Sequence, residues 1–152
     1  MANERESPMR RALELARTAV AAGEVPVGAV LIDGGSGAVL AEGHNLVETQ
    51  HDPTAHAELL VIREAAARLG RTRLEQADLY VTLEPCPMCA TAISFARLRR
   101  VYFGAYDPKG GGVDHGPRIF EQPTCHHAPE VIGGLEETAC AEVLRAFFQA
   151  RR

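Results

Sequence analysis

The sequence predicts an α/β protein in which helices cover both faces of a mixed β-sheet. Three features of the pattern support this prediction: the chain opens with a helix and a hairpin, later strands alternate with helices, and an amphipathic helix closes it. Alternation of this kind favours a sheet layered between helices. The 152 residues contain no internal repeat, low-complexity segment or linker, so we expect residues 1–152 to form a single domain.

The first elements are a helix and a hairpin. Apolar residues recur at helical spacing near the start of the chain, at Met9, Leu13, Ala16 and Val20. They predict a helix over residues 8–22 that ends at Gly23. Two apolar, partly β-branched runs, 25–32 and 38–45, are typical of strands, and the glycine-rich turn 34–37 joins them.

Helices and strands then alternate to the end of the chain. In order, we predict a helix over 55–70, a strand over 77–84, a helix over 85–98, a strand over 99–107 and a helix over 135–152. Gly70 is the expected end of the first of these helices, and the segment 108–117 is a glycine-rich loop. The apolar face of the last helix is expected to carry Leu135, Ala139, Val143, Leu144, Phe147 and Phe148.

Composition restricts the class of protein. Hydrophobic residues make up 46% and charged residues 24% of the chain, and no apolar run approaches the ~20 residues of a membrane span. The charged start of the chain lacks the apolar core of a secretory signal, so we expect a cytoplasmic protein without a membrane partner. A net charge of −4 does not favour a protein that coats nucleic acid, and four cysteines are too few for a disulfide scaffold.

Three residues have the chemistry and spacing of a metal site. Cys86 and Cys89 stand three apart, after a predicted strand and at the start of a predicted helix. A helix N-terminus favours thiolates, which are zinc ligands. His56, at the start of the other core helix, is the natural third ligand, and a catalytic zinc site keeps its fourth position for water.

Glu58 is the expected proton carrier. It lies two residues from His56, so on a regular helix it would not share that side chain's direction, and it need not be a ligand. A carboxylate beside a zinc site can take a proton from water and pass it to the substrate. This pair suits attack on an electron-poor, amidine-like carbon with loss of ammonia.

Other readings of the cysteines and histidines stay open but explain less. A structural zinc site would need a fourth protein ligand, and a redox Cys-x-x-Cys would leave His56 and Glu58 unexplained. Cys140 is expected in the core, and residues 124–127, "TCHH", are expected to form a surface loop rather than a second metal site. Three further histidines carry no specific signal: His44, His51 and His115.

The combined motifs resemble a known superfamily. "HAE" at 56–58 with "PCPMC" at 85–89 matches the H-x-E…P-C-x-x-C signature of the zinc-dependent nucleobase deaminases. Further segments resemble the bacterial tRNA-specific adenosine deaminases: "EVPVGAVL" (24–31), "GHN" (43–45), "HDPTAHAE" (51–58), "DLYVTLEPCPMCA" (78–90), "RVYFGAYDPK" (100–109) and the terminal "FF" followed by "RR". The likeness covers most of the chain.

This resemblance implies a fold, a reaction and a set of site residues. The fold would be a three-layer α/β/α sandwich with a mixed five-stranded sheet, and the protein a homodimer with one Zn²⁺ per subunit. The zinc ligands would be His56, Cys86 and Cys89, with Glu58 as general acid and base. The substrate-binding residues would be Asn45, Ala57, Asp107 and Lys109. The implied reaction converts adenosine to inosine at the wobble position of a tRNA anticodon.

An anticodon loop offers an adenine that is already unstacked, held by its phosphates. We take four arginines as candidates for these phosphate contacts: Arg97, Arg99, Arg151 and Arg152.

Some segments depart from the pattern of the tRNA enzymes. Asp114 and His115 stand where small residues are common, Tyr106 precedes Asp107 where a basic or polar residue is common, and "HHA" at 126–128 replaces "NHR". The alternative substrate is therefore a free nucleobase or nucleoside of the guanine, cytosine or isocytosine type, deaminated by the same chemistry. A binding module that has lost catalysis is a third reading, and the intact set of Glu58 and three ligands argues against it.

Overall fold

Two α-helical layers enclose a five-stranded sheet in the computed structural model, which describes residues 7–151. The elements are α1 (Pro8–Ala21), β1 (Gly28–Asp33), β2 (Val39–His44), α2 (Val47–Gln50), α3 (Ala57–Leu69), β3 (Ala77–Leu83), α4 (Pro87–Ala96), β4 (Arg100–Ala105), β5 (Glu130–Gly133) and α5 (Glu137–Gln149). A 3-10 turn covers Ile119–Glu121. The predicted three-layer sandwich is confirmed.

Local chemistry explains where the helices begin and end. The Ser7 hydroxyl accepts a hydrogen bond from the Met9 amide at 3.3 Å, and Pro8 occupies the first helical position of α1. Gly70 ends α3 in the left-handed conformation, with φ of 66°, as the sequence predicts. Gly28 lets α1 pack closely on β1, because a Cβ there would lie 1.9 Å from the Ala12 carbonyl oxygen.

The strand order is β2-β1-β3-β4-β5. β1 pairs antiparallel with both β2 and β3, whereas β3, β4 and β5 run parallel to one another. The sheet is therefore mixed, as expected. The carboxyl ends of β3 and β4 meet at one edge, where Leu83 pairs with Ala105, and parallel sheets place their sites at such an edge.

Side-chain alternation along the strands divides the core between the two faces. In β1, Val30 packs with the cluster under α1 and α5, whereas Ala29 and Leu31 belong to the larger cluster under α3 and α4. Cys140, on α5, is 1% exposed, so its predicted core position is confirmed.

The structure corrects several details of the prediction. Val20 and Phe148 are 41% and 49% exposed rather than in the core, because their helices bury only the positions that face the sheet. The residue pattern did not single out α2 or β5. Both contain only four residues, and β5 is a partly exposed edge strand with no full alternation to read. Within residues 7–151, no helix is both long and apolar enough to cross a membrane.

Candidate active site

The predicted metal ligands sit at the carboxyl edge of the sheet, just before two helices. His56 is the residue before α3 and Cys86 the residue before α4, and both have extended backbone angles. Neither side chain makes a hydrogen bond that caps its helix, so both are available to a metal. Cys89 lies in the first turn of α4 and is completely buried.

The three side chains converge as a zinc site requires. The ligand atoms of His56, Cys86 and Cys89 lie within 4.8 Å of one another, and these residues form a possible metal-holding group of the described chain. The Cys86 and Cys89 sulfur atoms are 3.5 and 3.6 Å from His56 Nδ1. Tetrahedral zinc with ordinary Zn–S and Zn–N bonds would separate sulfur from nitrogen by about 3.5 Å. The residues present therefore fit zinc.

The chemistry of Cys86 agrees with this geometry. Hydrogen bonds from the Cys89 thiol and from His56, with the Cys89 backbone amide, lower the pKa of Cys86 to about 4, although burial opposes them. A thiolate at the start of α4 is the form that binds metal.

Glu58 lies in the same pocket as His56, on the first turn of α3. The sequence argument about opposite directions applies to a regular helix, and His56 is outside the helix, so both side chains reach one cavity. Glu58 is 4% exposed. Burial raises the pKa of its carboxyl to about 7, although its own backbone N–H and the His56 charge oppose the shift.

The cavity in front of the ligands measures about 800 Å³. That volume is in the range of pockets that bind small molecules. Its inner wall includes His56, Glu58 and Cys86, and its mouth is bordered by the end of α5. There Phe147, Phe148 and Arg151 line the cavity, with the Arg151 guanidinium 3.7 Å from the centre of the Phe147 ring.

Asn45 and Ala57 are joined to each other. The Ala57 backbone N–H donates to Asn45 Oδ1 at 2.8 Å, and Asn45 lines the cavity. Since Oδ1 accepts this bond, the Nδ2 group is the part of Asn45 that can donate to a bound base. Ala57 is fully buried, so its substrate contact stays a prediction.

Asp107 and Lys109 begin the glycine-rich loop, which forms another part of the cavity wall. Asp107 and Gly110 line the cavity, and Asp107 Oδ1 accepts the backbone N–H groups of Lys109 and Gly110 at 3.2 and 2.9 Å. Lys109 is exposed beside this wall. The loop thus carries both predicted residues at the cavity's border, and their contacts with substrate stay predictions.

Two buried carboxylates that sequence reasoning missed hold the loops around the cavity. Glu24 accepts the Glu48 and Thr49 backbone N–H groups and the Thr49 hydroxyl, at 3.1, 2.6 and 2.6 Å. Glu84 accepts four backbone N–H groups from residues 107–115. One signal could have found Glu84: a charged residue at the end of an apolar strand, two positions before a metal ligand.

Comparison with known proteins agrees with this site. The cytidine and deoxycytidylate deaminase zinc-binding region matches residues 2–105, which include all three ligand candidates and Glu58. The chain belongs to this deaminase family.

Within that family the tRNA enzymes are close relatives. The tRNA-specific adenosine deaminase of Agrobacterium fabrum is 57% identical over 98% of this chain and 97% of its own length. The tRNA-specific adenosine deaminase of Bacillus subtilis is 47% identical, over 95% and 88%. A solved structure from a study of A-to-I editing by tRNA:A34 deaminases is 58% identical, covers 90% of this chain and 98% of that one, and has a TM-score of 0.87.

Enzymes that act on a free base are more distant. The structure of guanine deaminase from Bacillus subtilis is 35% identical over 95% of this deaminase and 91% of that chain, with a TM-score of 0.64. The tRNA enzymes therefore match this deaminase better in sequence, and the structure from the tRNA:A34 deaminase study matches it better in backbone than this guanine deaminase does.

Two of the four arginines proposed as phosphate contacts lie away from the cavity. Arg97 follows the last turn of α4 and Arg99 precedes β4, so both lie at the edge of the sheet opposite the ligands. Arg99 forms a bidentate pair with the buried Asp78, at 2.9 and 2.7 Å. Arg97 and Arg99 do not border the cavity, because a strand of six residues separates them from it by about 20 Å. Their phosphate contacts stay a prediction. Arg151 does line the mouth, and Arg152 lies outside the described residues.

The "TCHH" segment forms no metal group in the part of the chain that the structure describes. The Cys125 thiol donates to the His127 carbonyl oxygen at 3.1 Å, and His127 Nε2 is 2.7 Å from the Leu98 carbonyl oxygen. These contacts fasten a surface segment of the deaminase to the end of α4. The predicted surface loop at 124–127 is confirmed.

Proposed function

We propose that this protein is a zinc-dependent hydrolytic deaminase that converts adenosine to inosine at the wobble position of a tRNA anticodon. One observation carries the proposal: a complete His, Cys, Cys and Glu site lies in a chain 57% identical, over nearly its whole length, to a tRNA-specific adenosine deaminase. Because the chain is also 35% identical to a guanine deaminase, free guanine is the second candidate substrate.

His56, Cys86 and Cys89 would hold one Zn²⁺ per chain. Bound there, zinc would supply a Lewis acid and a source of hydroxide at neutral pH. Replacing Cys86 with serine should reduce zinc below one equivalent, as measured by elemental analysis. Cys125→Ser is the matched control and should keep one equivalent, because Cys125 lies in the surface segment and outside the ligand group.

Glu58 moves the protons of the reaction. Water adds at C6 of adenine, the bond from C6 to the amino nitrogen breaks, and ammonia and inosine are the products. The Glu58 carboxylate takes a proton from water and delivers it to the departing nitrogen. Glu58 lies in the same pocket as His56 and Cys86, and a carboxylate in that place can make both transfers.

Asn45 and the loop residues orient the substrate in this proposal. The Asn45 Nδ2 group donates to an acceptor on the purine edge while its oxygen is held by Ala57. Arg151, which lines the cavity, and exposed Lys109, between the lining residues Asp107 and Gly110, contact the phosphates of the anticodon loop. Exposed Phe148 offers a face on which a neighbouring base can stack.

The deciding experiment measures inosine and ammonia from an anticodon stem-loop with adenosine at the wobble position, beside free guanine, cytosine and adenosine. We expect turnover on the stem-loop alone. Turnover of guanine without turnover of the stem-loop would overturn the tRNA assignment and leave the zinc chemistry intact. Loss of activity after zinc removal, and its return with zinc, should accompany either result.

Phosphate contacts give a second readout. Arg151→Ala should raise the KM for the stem-loop and reduce the slope of log affinity against log salt by about 1. Arg71→Ala is the matched control, because Arg71 is exposed just after α3, at the end of that helix away from His56. Equal salt slopes in both variants would count against Arg151 as a phosphate contact.

We further infer a homodimer and, because tRNA is the substrate, a cytoplasmic location. Phe95 supports the dimer: it lies on α4, is 73% exposed, and borders a small apolar cavity with Ile119. Such an exposed aromatic side chain is typical of a protein interface. Sedimentation of the wild type and of Phe95→Glu should give a dimer and a monomer, respectively.

A further inference from the structure

Asp107 and Gly110 line the cavity, and the loop that carries them, residues 107–115 (below, the 107–115 wall), depends on one buried carboxylate. Glu84 Oε1 accepts the Asp107 backbone N–H at 3.0 Å. Glu84 Oε2 accepts the backbone N–H groups of Val113, Asp114 and His115 at 3.2, 2.9 and 3.1 Å. The loop is thus gathered around a side chain that is 2% exposed.

The His115 imidazole closes this arrangement. Its Nδ1 lies 2.8 Å from Glu84 Oε1, the oxygen that also holds Asp107. Because an ionised carboxylate can only accept, Nδ1 carries the hydrogen and donates it. The ring also lies edge-on to Tyr106, with centres 6.3 Å apart, and Tyr106 packs edge-on against Phe103 at 5.0 Å. His115 therefore ties the far end of the loop to its beginning.

The loop rests directly on the segment that carries Cys86. The Gly112 backbone N–H donates to the Pro85 carbonyl oxygen at 2.8 Å, and a Cβ at Gly112 would lie 2.5 Å from the Pro87 nitrogen. A Cβ at Gly111 would lie 2.3 Å from Glu84 Oε2. Only a loop without side chains at these two positions can approach so closely.

We propose that His115 is a positioning residue that fixes the 107–115 wall through Glu84, and so sets the place of Asp107 and Lys109 against the anticodon loop. This proposal rests on the proposed function and deepens it. The side chain of His115 is 33% exposed, and within residues 7–151 its imidazole pairs with Glu84 and with none of the three ligand candidates, so its effect is on substrate binding. Groups that hold contact residues in place act in this way.

The test compares His115→Ala with His115→Asn. The asparagine amide can donate from nearly the position of Nδ1, whereas alanine cannot. His126→Ala is the matched control, since His126 is an exposed histidine outside this loop. Each variant is assayed for kcat and KM on the wobble-adenosine stem-loop, for zinc content, and for hydrogen exchange of a peptide that covers residues 107–118.

We expect His115→Ala to raise KM about tenfold with little change in kcat, and to speed exchange in residues 107–118 only. Zinc content should stay at one equivalent, and His115→Asn should recover most of the KM. Unchanged exchange or unchanged KM in His115→Ala would overturn the proposal. Faster exchange across the whole chain with loss of zinc would also overturn it, since His115 would then support the fold as a whole.

The two proposals fail separately. A wild-type protein that turns over guanine and not the stem-loop would overturn the tRNA function. Exchange in residues 107–118, and KM for the base that is turned over, would still decide whether His115 positions the wall.

Discussion

Two parts of the cavity each depend on a buried glutamate: the inner wall with His56, Glu58 and Cys86, here called the floor, and the glycine-rich wall held by Glu84. The pKa values of these two glutamates shift in opposite directions. Glu58 is 4% exposed and Glu84 is 2% exposed. Burial raises the pKa of Glu58 to about 7. Burial also opposes ionisation of Glu84, but hydrogen bonds from Asp107, His115 and neighbouring amides outweigh it and lower the pKa of that carboxyl.

The difference shows that donors, rather than burial, decide what a buried carboxyl does. Removal from water costs both groups their hydration. Backbone N–H groups of the wall replace the lost hydration of Glu84 with hydrogen bonds. Glu84 therefore stays ionised and holds the loop in place. At Glu58 the hydrogen bonds from its own backbone N–H and from Cys89 are too weak to offset burial, so the pKa of this carboxyl stays raised. Glu24 follows the pattern of Glu84 at the other wall.

The largest effect that would test the comparison is on the floor. Glu58→Gln keeps the shape of the side chain and removes its proton transfer. We expect kcat on the stem-loop to fall by about 10²–10⁴ while zinc stays bound, because the three ligands are unchanged. Stopped assays with elemental analysis measure both. Near-normal turnover in a zinc-loaded variant would show that Glu58 is not the proton carrier.

A change at Glu84 in the wall should instead lower the free energy of unfolding. Glu84→Gln replaces one of the two accepting oxygens by an NH2 group, which can only present hydrogens to the N–H groups of the loop. We expect the free energy of unfolding to fall by about 2–3 kcal/mol, measured by urea denaturation with zinc present. Glu75→Gln, at an exposed site, is the control and should leave stability unchanged. A Glu84→Gln variant as stable as wild type would show that the hydrogen bonds to Glu84 do not hold the wall.

A smaller effect concerns pH. At Glu24, burial raises the pKa, and the Thr49 and Glu48 hydrogen bonds outweigh it, so the folded pKa lies below the usual value. The stability this group contributes is complete above the unfolded pKa of about 4.3 and is lost as pH falls through the folded pKa. The stability advantage of wild type over Glu24→Gln should therefore shrink between about pH 5 and pH 3. Acid denaturation of both proteins at fixed zinc tests this, and an advantage that grows in acid would reverse the assignment.

The smallest effect comes from one donor. Thr49→Val removes the hydroxyl that lies 2.6 Å from Glu24 Oε2 and leaves the backbone N–H in place. We expect a loss of about 0.5–1 kcal/mol in the free energy of unfolding and a smaller difference between neutral and acid stability than in wild type. Thr18→Val, whose hydroxyl bonds to an exposed turn of α1, should show no such change with pH.

Much of the fold follows from local pattern. Strand 77–83 is a mostly apolar run followed closely by Pro85, and helix 57–69 is rich in alanine and leucine and ends at Gly70, which are local signals. β5 has no such signal, because a four-residue edge strand is selected by pairing with β4 rather than by its own residues. Val20 was predicted on the buried face of α1 but is exposed, for a related reason: the position of the sheet decides which turns of the helix are covered.

The sequence by itself determined the chemistry of the site. His56, Glu58, Cys86 and Cys89 are reactive types at informative spacings, and a metal accepts few other combinations. Only the tertiary structure decided which charges face the cavity. Arg99 pairs with Asp78 at the far edge of the sheet, which its sequence position does not indicate. The role of Glu84 likewise depends on the loop that folds around it. Ligand identity depends on side-chain type, whereas the work of an arginine or a glutamate depends on neighbours that folding brings from distant parts of the chain.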